Sequence, residues 1–154
     1  MLKISLLAIA LLKQLEGFEA NVYRNGGGRE TIGYGHLVRA GENWSGGITE
    51  AEGEQLLYRD LSKAEQAVNQ LVKAPLNQNQ FDAIVIWTYN LGPTNLKNST
   101  LLKRLNSGHF EDIPYQLSRW VWVTHKDTGK KEKLNGLIRR REAEIKLWNN
   151  PVSG

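Results

Sequence analysis

The stretch LEGFEANVYRNGGGRETIGYGH, residues 15–36, decides how the chain is read, because the periodicity changes inside it. Its first residues close a run in which Leu7, Leu11, Leu12 and Leu15 recur at helical spacing, and Gly17 is placed to stop that helix. Glu16 therefore falls at the helix's C-terminal end, where the backbone dipole opposes an anion. From 22 to 38 the pattern turns to short extended pieces, with Thr31, Ile32 and Tyr34 as β-formers and the glycines of NGGG and GYG at the bends. The expectation is a small sheet of two or three strands, preceded by a helix that offers a carboxylate to a Gly-rich loop.

Upstream, the helix should run from about 5 to 16. Residues 4–12 have the apolar character of a secretion signal's core, but the run is too short to span a membrane and no small-residue cleavage site precedes Glu16. An amphipathic first helix packed on the core is expected, without stable membrane insertion. Downstream, Thr49 and Glu52 form a capping box that opens a long helix over 49–73. Pro75 ends it, and Asn77 or Asn79 can cap the next helix, QFDAIVIWTYNLG, which is apolar almost all round and so belongs at the centre. Gly92 and Pro93 close that helix. Shorter helices are expected over 99–106, 110–121 and 137–149, separated by NSGH and by the polar loop HKDTGKKEKLNG, with a frayed tail from 150.

These elements predict an α+β fold in one domain, 1–154. A small β-containing lobe (about 15–60) is joined through the helix over 49–73 to a helical lobe built from 1–14 and 74–149, and a cleft lies between the lobes. A chain of 154 residues can bury a core of this kind without a staple. It has no cysteine, which excludes disulfides, a thiolate nucleophile and Cys-based metal sites. The formal charge of +4 and pI near 9.4 favour polyanionic partners. No basic tail or aromatic-basic interleaving is present, so nucleic acid is not the expected partner.

Three residues of the opening stretch could carry chemistry. Glu16, with Leu15, Phe18 and Tyr23 around it, could be partly desolvated and act as an acid. Thr31 begins TIGYGH, where a hydroxyl and two glycines permitting close backbone approach lie beside His36. Asp60, on the long helix, is a candidate partner for His36, and no second histidine nearby completes a metal site or triad. No metal or cofactor is expected.

The joint spacing of Glu16-Gly17, Tyr23 and Thr31-Ile32-Gly33-Tyr34-Gly35-His36 resembles the signature of the phage-type lysozymes, the endolysin muramidases of glycoside hydrolase family 24. APLNQNQFDAIVIWTYNLGP, STLLKRLNSGHF and GLIRRREAE continue the resemblance along the whole chain. It implies a two-lobed lysozyme fold with a peptidoglycan strand lying across the cleft. The implied reaction is hydrolysis of the β-1,4 bond between N-acetylmuramic acid and N-acetylglucosamine, with Glu16 as general acid and Thr31 helping to hold the attacking water for an inverting outcome. His36 and Asp60 would form a structural ion pair. An arginine among Arg139, Arg140 and Arg141 would reach Glu16 from the other lobe, unless that cluster is simply solvated. Tyr23, Tyr34, Trp44, Asn90 and Thr94 are expected to face the sugar, while Trp87, Trp120 and Trp122 are expected in the core. The resemblance further implies accumulation in the host bacterial cytoplasm and release through a holin-like pore, and a monomer is the default expectation.

One position departs from the family pattern: Asn25 stands where Asp is usual. An aspartate would add charge and basicity, whereas an amide offers only a carbonyl and an N–H₂ group. Either Glu16 alone suffices, or the chain is a catalytically silent peptidoglycan binder, or Asn25, followed by Gly26, deamidates to the acid.

Overall fold

The computed structural model describes residues 1–125 and 127–151. Helix α1 (Leu6–Glu16) starts where Ser5 caps it, the Ser5 hydroxyl oxygen accepting from the Ala8 N–H at 3.1 Å. The buried Asp82 anchors that cap, because its carboxylate accepts from the Ser5 N–H at 3.0 Å and the Ser5 hydroxyl at 2.6 Å. Ala8 and Leu12 face the core and Leu11 and Leu15 pack at its margin, but Leu7, expected on the same stripe, is exposed beside Leu6. Gly17 ends the helix at φ 67°, a left-handed conformation that glycine adopts without strain. Glu16 is thus fixed as the last residue of α1.

Three antiparallel strands follow in the order β1 (Glu19–Arg24), β2 (Glu30–Gly33) and β3 (His36–Leu37). Tyr23 pairs with Thr31 and Ile32 with His36, so one hairpin projects residues 25–29 and a second turns through Gly33-Tyr34-Gly35. Ile32 is buried with Ile48 and Leu56 in a small core of its own.

Helix α2 (Glu50–Leu71) opens with the expected capping box: the Glu52 N–H donates to Thr49 Oγ1 at 3.2 Å and the Thr49 N–H to Glu52 Oε1 at 2.9 Å. It buries Leu57, Leu61, Ala64 and Val68 against α3 (Gln78–Leu91), which Asn77 caps and whose residues 81–88 are all buried. That burial makes α3 the axis of the molecule, as its all-round apolar sequence requires.

Beyond α3 the chain departs from expectation in three places. Pro93, at the first helical position where its missing N–H costs nothing, opens the short helix α4 (Pro93–Asn98) before α5 (Thr100–Asn106). The helix expected over 110–121 is a 3₁₀ turn (Phe110–Asp112) and one short helix, α6 (Ile113–Ser118). Within the segment expected as helix end and polar loop, β4 (Trp122–Thr124) pairs antiparallel with β5 (Lys131–Lys133) as a two-stranded ribbon. Helix α7 (Asn135–Asn149) then packs on α3 and α6. Among the described residues no helix is long and apolar enough to cross a membrane.

Candidate active site

Glu16 emerges from the end of α1 into a cavity of about 490 Å³ between the sheet and helices α3 and α7. Its side chain is only 8% exposed, and Arg140, one turn into α7, places Nη2 2.8 Å from Glu16 Oε1. The second guanidinium nitrogen of Arg140, Nη1, is buried without a protein partner. On the opposite side the carboxylate rests on Gly35, whose φ of 80° favours glycine; a Cβ there would overlap the Glu16 carboxylate. Tyr23 lines the same space, its hydroxyl pKa raised by burial and then by the neighbouring Glu16 charge.

Thr31 is buried, and its hydroxyl donates to the Arg29 carbonyl at 2.9 Å. The proton being used there, Thr31 can offer the cavity only an acceptor lone pair. Asn25 is also on the cavity wall, with its carbonyl turned into its own loop: Oδ1 accepts from the N–H groups of Gly27 at 2.9 Å and Arg29 at 3.0 Å. This leaves the N–H₂ end of the amide as its remaining hydrogen-bonding group. The hairpin so tied rests on the far side of the cleft, since a Cβ on Gly26 would come within 2.9 Å of Leu134 Cδ1.

Asn90, at the end of α3, lines the same cavity from the helical side. Its Oδ1 accepts from Arg141 Nη2 at 2.8 Å, which directs the amide N–H₂ away from that contact as a donor. Arg141 also donates to the Trp120 carbonyl at 3.1 Å and pairs with Glu144 at 2.7 Å; the two side chains are 1% and 0% exposed. Burial pushes the Arg141 pKa down and the Glu144 pKa up, against the attraction between them. The neighbouring arginines of α7 therefore have different surroundings, Arg140 at Glu16 and Arg141 beneath Asn90.

His36 is buried with Nδ1 2.7 Å from Asp60 Oδ2 and Nε2 3.0 Å from Glu42 Oε1. The Asp60 hydrogen bond, assisted by Glu42 and opposed by burial, raises the His36 pKa. Burial works against the Glu42 carboxylate, yet the Arg39 N–H, the His36 ring and the Trp44 indole together draw its pKa down to about 2. Glu42 lies in an irregular loop, and no periodicity in the sequence singles it out. Among the described residues no group of three His, Asp or Glu side chains could hold a metal ion.

Other expected sugar contacts lie elsewhere. Tyr34 is buried among core residues beside Phe18, its hydroxyl donating to Glu50 Oε2 at 2.8 Å; burial and that bond push its pKa up to about 12. Thr94 is exposed in α4 and lines neither large cavity, and Trp44 packs against the small core. Trp87 is buried as expected and Trp120 stacks edge-on against it at 5.2 Å. Trp122, expected in the core, is instead 57% exposed on the wall of the Glu16 cavity, because it sits on the unforeseen ribbon.

A second cavity of about 660 Å³ continues past Arg29, Gly35, Leu37 and Tyr89, which line both. Glu30, the other acid of the hairpin, faces this second space and not the one around Glu16.

Residues 13–144 match the phage lysozyme family. The chain is 37% identical over 142 residues to an endolysin of Acyrthosiphon pisum secondary endosymbiont phage 1, covering 92% of this chain and 94% of that one. It is 35% identical over 150 residues to the endolysin of Salmonella phage P22, covering 96% and 99%. Its structure is similar to the endolysin from Escherichia coli O157:H7 phage FAHEc1 (TM-score 0.86, 37% identity, 99% and 97% covered). A similar likeness links it to the muramidase domain of SpmX from Asticaccaulis excentricus (TM-score 0.84, 35% identity, 98% and 100% covered).

Proposed function

Since the chain belongs to the phage lysozyme family, we propose that it is a peptidoglycan-hydrolysing muramidase in which Glu16 is the general acid. The observation that carries this reading is the carboxylate of Glu16, shielded to 8% exposure yet opening into a cavity between sheet and helices, with Arg140 and Gly35 fixing its position. The bond attacked is the β-1,4 link from N-acetylmuramic acid to N-acetylglucosamine. Glu16 delivers its proton to the leaving oxygen as positive charge develops on the muramic ring. A water on the other ring face donates a hydrogen bond to Thr31 Oγ1, whose own proton is already committed to Arg29, and attacks the anomeric carbon with inversion, losing its proton to solvent in the cleft, from which Glu16 is reprotonated.

Asn25 contributes no base to this scheme. Its carbonyl holds the hairpin by two backbone N–H groups, and its N–H₂ end and the Asn90 N–H₂ group supply donors to sugar hydroxyl or acetamido oxygens. Tyr23 supplies an aromatic edge on the same wall. In a bacterial host the monomeric protein would accumulate in the cytoplasm and reach the wall through a pore-forming partner.

The test is release of reducing ends from purified peptidoglycan. Glu16→Gln should lower the rate by at least about 100-fold, the scale of general acid catalysis, with an unchanged melting temperature. Equal rates for parent and variant would sink the proposal, and proton NMR of the first product reads the anomeric outcome. The turned-in carbonyl of Asn25 favours one competing reading, a silent lysozyme-fold binder, which predicts sedimentation with peptidoglycan but no new reducing ends.

A further inference from the structure

Trp122 is the one exposed ring among the five tryptophans: Trp87 and Trp148 are buried, and Trp44 and Trp120 are half-buried. It stands where the ribbon's alternation calls for a polar residue. Val121 and Val123 turn toward the protein, whereas Trp122 shares the other face with Thr124 and, across the register, with Lys131 and Lys133, all three of them exposed. Trp122 nevertheless lines the Glu16 cavity, together with Leu134, Asn135 and Leu137. Among the described residues no aromatic ring or cation stacks on its indole. Its backbone is held on both sides: the Val121 carbonyl accepts from the Leu134 N–H at 3.0 Å, and the Trp120 carbonyl accepts from the buried Arg141 at 3.1 Å. A large ring on a fixed strand, open toward a cavity, takes up a ligand at little cost in side-chain ordering.

A β-1,4-linked N-acetylhexosamine holds its substituents equatorially, so its axial C–H groups form an apolar patch on each face of the pyranose. Such C–H groups, slightly positive, suit the negative π-face of an indole. We propose that Trp122 is a sugar-stacking residue, its open face carrying one pyranose of the strand that reaches Glu16; this rests on the muramidase reading above. The stacked sugar takes no part in bond breaking. The contact therefore holds substrate and transition state alike, and lowers KM without altering kcat.

The test compares initial rates of reducing-end release from soluble peptidoglycan strands by the parent, Trp122→Thr and Trp122→Phe. Threonine removes the ring but suits a strand, so the ribbon should persist, which an unchanged melting temperature checks. Trp122→Thr should raise KM roughly five- to ten-fold, the scale of a lost aromatic contact, and leave kcat alone. Trp122→Phe should recover most of that loss. An unchanged KM in the threonine variant overturns the proposal, as does a phenylalanine variant no better than the threonine one, or a fall in kcat alone. A second measurement needs no turnover. In Glu16→Gln, acrylamide quenching of tryptophan fluorescence reads chiefly Trp122, the exposed indole. Added strands should shield it, and quenching that strands leave unchanged overturns the stacking. If the parent releases no reducing ends, the hydrolase reading fails separately, and the quenching experiment still decides the role of Trp122.

Discussion

Both walls of the cleft are stiffened by a charge cluster, and the two clusters are built on opposite principles. On the sheet side His36 lies between Asp60 and Glu42, whose side chains are 17% and 21% exposed, and both ring nitrogens have partners. On the helical side Arg141 and Glu144 are buried almost completely, and Arg141 Nε and Glu144 Oε1 find no partner. A cluster that reaches water can titrate and so tunes stability with pH. A dry one must keep both members, because removing one leaves an uncompensated charge.

The sharpest way to break this contrast is Glu144→Ala, which should cost about 3–5 kcal/mol in urea unfolding by stranding the Arg141 guanidinium. Arg141→Met/Glu144→Leu should recover most of that loss, yet still slow turnover because Asn90 loses the donor that orients its amide. If the double variant is as unstable as the single one, the dry pair is itself stabilising and the contrast fails.

Next is Gly35→Ala, at the point where the walls meet. A left-handed backbone carrying a side chain costs about 1–2 kcal/mol. The methyl also displaces the Glu16 carboxylate, so reducing-end release should fall well beyond what the lowered melting temperature explains.

The wet cluster should show a pH optimum. His36, raised above 6.5, contributes stability that is complete below pH 6.5 and is lost as pH rises through its folded pKa. Glu42, lowered from 4.5 to about 2, contributes stability that is complete above pH 4.5 and is lost as pH falls toward 2. Thermal melts should therefore peak between about 4.5 and 6.5, and His36→Gln should flatten both flanks. An unaltered pH profile in that variant would show that the cluster is not the titrating device.

The smallest effect belongs to Asn25→Asp. A carboxylate can accept the same Gly27 and Arg29 N–H bonds, so stability should change by less than about 0.5 kcal/mol. Turnover should rise if a second negative charge limits the reaction, and intact mass of aged parent protein will show whether Asn25-Gly26 makes that change by itself.

What could be read in advance follows from how locally each feature is encoded. The Thr49–Glu52 box, the Asn77 cap and the Gly17 stop are short-range devices, and the helices they bound are where the sequence places them. The β4–β5 ribbon was illegible because its strands show little alternation, β5 being Lys-Glu-Lys and exposed throughout. That omission carried Trp122 into an expected core. Tyr34 lies in the core and not on the sugar-facing wall because Gly33 and Gly35, both at positive φ, turn it out of the strand's alternation. In RRREAE no local rule tells the arginine that meets Glu16 from the one buried three residues before Glu144.

The resting of Gly26 on Leu134 has a topological consequence. It brings the tip of the β1–β2 hairpin against the segment that leads into α7, so the cavity around Glu16 is closed on one side by a contact between sheet and helical parts of the chain. A side chain larger than hydrogen at position 26 would have to displace the Leu134 methyl, because its Cβ would fall 2.9 Å from it.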